Sequence, residues 1–78
     1  NMSPNPGRDI VFLNSEKIQP SLWKLDIYDM NGKLVKRIKG IYSYITQINI
    51  DDLSAAVYIY KVIDREGRLL KVGRLIKV

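Results

Sequence analysis

The chain contains no cysteine and no histidine. The first absence removes disulfides and thiolate metal sites. The second removes a Ser-His-Asp triad, a Cys-His dyad and any imidazole metal ligand. Five serines and eight carboxylates remain, with no general base near any serine in sequence. Catalysis, a bound metal and a cofactor are therefore not expected of this chain. No stretch approaches the roughly 20 apolar residues that span a bilayer as a helix. The opening Asn1-Met2-Ser3-Pro4-Asn5-Pro6 has no export-leader pattern and reads as the continuation of a longer parent.

What is present suits one small domain. There are 78 residues, 46% of them hydrophobic, too apolar for a disordered segment. A domain of this size buries only about 60% of its unfolded surface, so its stability rests on a thin core. The net charge is +5 and the isoelectric point about 9.6. Nucleic acid, an anionic membrane surface and an acidic glycan are the partner classes such a balance admits. A solubilising surface is the simpler account.

Apolar residues alternate or run in short blocks, and β-branched and aromatic types are frequent, which predicts strands. Residues 1–8 hold most of the prolines and read as a lead-in or linker. Residues 9–13 form a first expected strand. Trp23, Leu25 and Ile27 then alternate with Lys24, Asp26 and Tyr28, the pattern of a half-buried strand whose odd residues face the core. Asp29-Met30-Asn31-Gly32 makes a tight turn, with Asn31-Gly32 supplying the permissive backbone, and 33–38 returns as the partner. A strand over 45–50, a turn at 51–54 and a central strand over 57–63, apolar on both faces, follow. The five tyrosines and Trp23, set among lysines, are better explained by core and rim packing than by base stacking. The scattered aspartates fit turns better than a calcium loop.

A turn at Arg65-Glu66-Gly67 leads into a last strand over 68–78, with a bend expected at Gly73. Here Gly67-Arg68-Leu69-Leu70-Lys71-Val72 is echoed by Gly73-Arg74-Leu75-Ile76-Lys77-Val78. A shift of six preserves the face of each residue in a strand but not in a helix. Leu70, Val72, Ile76 and Val78 are thus expected together on the core side, with Lys71 and Lys77 opposite. The whole reads as an all-β fold, a small immunoglobulin-like β-sandwich of six or seven antiparallel strands.

Four segments in order resemble the C-terminal sorting domain of the type IX secretion system, the Por secretion family of type A. These are Pro4-Asn5-Pro6 before Asp9-Ile10, the Leu25 to Val35 hairpin, Ile48 to Ile63, and the basic apolar end Lys71 to Val78. Alanine at 55 and 56 departs from the glycine usual there, where a positive φ would strain alanine. The resemblance implies a non-catalytic signal domain over residues 9–78, read by an outer-membrane translocon. It also implies cargo upstream in the parent chain, removal by a sortase-like cysteine protease, and delivery through the periplasm to the cell surface or medium. It implies translocon recognition at Gly67, Lys71, Gly73, Arg74, Lys77 and Val78, and a structural turn at Asp29, Asn31 and Gly32. Two rivals stand beside it: an accessory immunoglobulin-like module that binds glycan or spaces domains, and a basic barrel for single-stranded nucleic acid. The resemblance favours no nucleic-acid partner, and pairing into a weak homodimer through sheet edges stays open.

Overall fold

A computed structural model describes residues 2–15 and 20–78. Among them there are seven strands and no helix: β1 (Met2–Ser3), β2 (Ile10–Asn14), β3 (Trp23–Tyr28), β4 (Leu34–Ile41), β5 (Ile45–Asn49), β6 (Ala56–Ile63) and β7 (Leu69–Lys77). They form two antiparallel sheets, β1-β2-β5 and β4-β3-β6-β7. This is the expected small β-sandwich. The addition to the expected strands is β1, a two-residue piece of the lead-in that pairs with Phe12 and Leu13 of β2.

Alternation decides what enters the core. Val11 and Leu13 from β2, Leu25 and Ile27 from β3, Ile48 from β5, Tyr58, Tyr60 and Val62 from β6, and Leu75 from β7 are all buried. Trp23 is half-buried and packs against them. Each fully buried aliphatic side chain contributes about 1.5–3 kcal/mol relative to exposure. Ala55 and Ala56 have ordinary φ angles, and the chain stays extended into β6 without a glycine.

Both hairpins of the larger sheet close in the same way. The amide of Gly32 donates to the Asp29 carbonyl (3.0 Å), and the Asp29 amide to the Lys33 carbonyl (2.9 Å). The Asp29 carboxylate accepts from the amides of Asn31 and Lys33. Asp64, Glu66, Gly67 and Arg68 repeat every one of these bonds. Gly32 and Gly67 have φ of 84° and 87°, the left-handed region where glycine carries no penalty. Asn31 is not left-handed: the loop is a three-residue turn closed by a glycine bulge, rather than a two-residue turn.

The correspondence extends along the strands. Asp29, Gly32, Leu34 and Lys36 match Asp64, Gly67, Leu69 and Lys71, and the pairs Leu25–Ile38, Asp26–Arg37 and Ile27–Lys36 match Tyr60–Gly73, Lys61–Val72 and Val62–Lys71. A bulge follows in each ladder at the same place. The sheet is therefore pseudo-twofold, with the Asp26–Lys61 pair on its axis.

Asp26 breaks the symmetry. It lies on the outer face of β3 yet is buried, because Arg37 grips it with Nε and Nη2 at 2.7 and 2.9 Å and Tyr28 adds a hydroxyl at 3.3 Å. The hydrogen bond from Arg37 holds the Asp26 carboxyl below its ordinary range, and bonds from Lys36 and Arg68 do the same for Asp52 and Asp64. Carboxyls depressed on folding stabilise the fold above their unfolded value of about 4, and that contribution is lost as pH falls through the folded values. Urea midpoints should therefore hold between pH 7 and 5 and drop below pH 4. Arg37→Met should lower the midpoint at pH 7 but less at pH 3, because without the Arg37 bond burial favours the protonated form of Asp26. Adding Asp26→Leu should restore it. An equal loss for Arg37→Met at both pH values would show that the pair is not the cause.

Candidate recognition strand

β7 is an edge strand, and its two faces are the reverse of those the alternation predicts. Leu75 and Lys77 point inward and are 0% and 8% exposed. Leu70, Val72 and Val78 are 45%, 50% and 55% exposed, and Ile76 is half-buried. The cause is the bulge: Ile63 pairs with Leu69 but Val62 with Lys71, so Leu70 is the extra residue and the odd-numbered set continues on the core side.

Lys77 is a structural cation. Its Nζ donates to the backbone carbonyls of Ile50, at 3.0 Å, and Arg8, with the Asp9 carboxylate 3.9 Å away. The ammonium thus ties the end of β7 to the lead-in and to the turn after β5. Gly73 lies opposite Tyr60, and a Cβ there would sit about 2.4 Å from the phenol end of that ring. It is a packing glycine, and β7 runs through it as unbroken strand.

The remaining predicted residues divide by place. Gly67 is in the β6–β7 turn. Asp29, Asn31 and Gly32 form the turn at the other end of the sheet, near the Arg74 end of β7 but two strands away. Lys71 and Arg74 are exposed on the strand and, among the described residues, pair with no carboxylate; Arg68 instead bonds Asp64 at 2.9 Å. The cations that β7 presents are therefore Lys71 and Arg74, with Val78 at its end.

The lead-in supplies a residue whose part the sequence did not reveal. Asn5 uses its side-chain amide as if it were a strand backbone: Nδ2 donates to the Arg74 carbonyl at 2.6 Å, and Oδ1 accepts from the Ile76 amide at 2.9 Å. The Gly7 amide donates to the Ile76 carbonyl and the Val78 amide to the Gly7 carbonyl, at 2.8 and 2.9 Å. The edge of β7 from Arg74 to Val78 is thus strapped. In an antiparallel ladder alternate residues turn their backbone groups away from the partner strand. Val72 is such a residue, and the strap does not reach it. The open half of the edge therefore carries exposed Leu69, Leu70 and Val72 beside the exposed cations. Behind it lie the half-buried outward residues Val57, Ile59 and Ile63 of β6.

What β7 offers is an apolar, cationic strand with half its edge free. No group of three or more metal-ligating side chains occurs among the described residues. The family model described as "Secretion system C-terminal sorting domain" matches residues 1–77. No curated protein matches the chain.

Proposed function

This chain belongs to the C-terminal sorting domain family of the type IX secretion system, and from that premise we propose that β7 is the strand its machinery reads. The family is a sorting signal and not a catalytic one. Its members engage the secretion machinery and direct export across the outer membrane, to the cell surface or the medium. The observation that carries the finer reading is the exposure of Leu70, Val72 and Arg74 on an edge with unstrapped backbone. Extended polypeptide adds to such an edge through main-chain hydrogen bonds, with alternate side chains giving selectivity.

In this reading Lys71, Arg74 and Val78 are contact residues. Gly67, Gly73 and Lys77 shape and hold the strand, and Asp29, Asn31 and Gly32 close the partner hairpin. The translocon of the outer membrane is the first partner. A sortase-like cysteine protease then severs the domain, residues 9–78 with their lead-in, from the cargo upstream.

Fusion of residues 1–78 to the end of a periplasm-directed reporter should bring the reporter to the surface of a bacterium that has this secretion system. External protease should then digest it. In a strain lacking the outer-membrane translocon the reporter should stay protected in the periplasm. Protection in both strains would refute the reading.

A further inference from the structure

We propose that β5 is a self-association edge, which pairs antiparallel with β5 of a second copy of this chain. From Gly40 to Ile50 the sequence has no charged residue, although 27% of the chain is charged. β5 lies inside that run and at the edge of its sheet. The Ser15 amide donates to the Tyr44 carbonyl, and the Ile50 amide to the Asp9 carbonyl. The even-numbered residues of β5 therefore turn their backbone groups toward β2, and Ile45, Gln47 and Asn49 turn theirs to the open edge. The same three are exposed on the outer face of the sheet, where their neighbours on β2 are Asn14, Phe12 and Ile10. Ile45 is 60% exposed, Ile10 41% and Phe12 39%, so edge and face are apolar and uncharged together.

Charge decides the occupant. Proteins blunt sheet edges with charged side chains, short strands or a covering segment. The other edges of this sandwich are treated in these ways. β4 carries Lys36, Arg37 and Lys39. β7 carries Lys71 and Arg74 and is strapped over half its length. β1 is two residues long. β5 has no such guard. Two copies of a chain with net charge +5 repel each other, and β5 is the edge on which they meet with no like charges face to face. The nearby ammonium of Lys36 is held by Asp52 at 2.9 Å, which removes its repulsion from this side. An acidic partner would gain nothing at β5 and would be drawn to β4 or β7 instead.

The edge also matches itself. The antiparallel register that uses all three outward residues is centred on Gln47. It sets Gln47 opposite the second copy's Gln47 and Ile45 opposite the second copy's Asn49. Such an isologous contact closes at two copies, because each β5 edge is used up by the other. β7 belongs to the other sheet and stays free, so a pair would present two recognition strands. The contact is one short strand and its neighbours, well under the roughly 1,200 Å² of a tight interface, so the dimer is a weak and reversible one.

Sedimentation equilibrium of the full chain at low ionic strength should show a reversible monomer–dimer exchange, with Kd on the order of 100 μM. Because Gln47 faces itself, Gln47→Lys should weaken pairing at least about tenfold. Gln47→Glu should weaken it as much, although it lowers the net charge. An equimolar mixture of the two variants should pair at least as tightly as the parent, since opposite charges then face each other. Both substitutions alter an exposed side chain and should melt like the parent. Val72→Lys puts the same extra charge on β7 and should leave pairing unchanged. A parent that stays monomeric at millimolar concentration would overturn the proposal. So would a dimer that survives Gln47→Lys, a Gln47→Glu dimer tighter than the parent's, or a mixture no better than either variant alone. Loss of pairing in Val72→Lys with retention in Gln47→Lys would move the contact to β7 and overturn it too.

Discussion

Gly73→Val should be among the most damaging single changes in this domain, at about 3 kcal/mol. Gly73 faces Tyr60 across the β6–β7 ladder, and its missing side chain is the space that the buried phenol ring fills. The matching pair in the other hairpin is Leu25 opposite Ile38, so the two ladders divide similar volumes differently. A valine at 73 would force the ring out of a core that has no slack, and overpacking of this kind costs about 1–3 kcal/mol, occasionally more. In a domain this small, about 3 kcal/mol lowers the melting temperature by roughly 12–24 °C. Shortening the ring should relieve the clash. Gly73→Val with Tyr60→Leu should melt higher than Gly73→Val alone, although Tyr60→Leu by itself destabilises. A double variant no better than the single would show that Gly73 is needed for something other than the Tyr60 ring.

Much of this fold was legible in the residues. The β3–β4 hairpin followed from Trp23, Leu25 and Ile27 alternating into Asp29-x-x-Gly32, and the central place of β6 from a run apolar on both faces. The tail repeat pointed to a strand, and β7 is one. The failure was in which side of β7 faces inward. Counting apolar residues favours the even-numbered side, Leu70, Val72, Ile76 and Val78. The bulge at Leu70 and the need for a small residue beside Tyr60 put the odd side in the core instead. Periodicity gives a strand its two faces, but not which of them the tertiary fold will bury.

That reversal changes the meaning of the charges. Lys71 and Lys77 are not a paired solvent-facing set: Lys71 is exposed, whereas Lys77 is buried among carbonyls, where no single-sequence pattern would place a lysine. The signal for Asn5 was present in Pro4-Asn5-Pro6, but its partner is 69 residues away, and a contact of that range leaves no local trace. The pseudo-twofold repeat was readable, as Asp-x-x-Gly-Lys-Leu-Val-Lys at 29–36 against Asp-x-x-Gly-Arg-Leu-Leu-Lys at 64–71. The shorter repeat in the tail obscured it.

The exposed side of β7 is also where the account can be tested most directly. Leu70, Val72 and Arg74 project from the outer face, so Leu70→Ser, Val72→Ser and Arg74→Ser together should leave the melting temperature within a few degrees of the parent. The measurement is the fraction of a fused reporter that reaches the cell surface, compared between the triple variant and the unaltered domain at equal expression. If the translocon reads β7, the variant's reporter should be retained in the periplasm and its surface fraction should fall at least about tenfold, as expected when the central residues of an interface are removed. A surface fraction equal to that of the unaltered domain, from a variant that melts like it, would contradict the assignment of the signal to this strand.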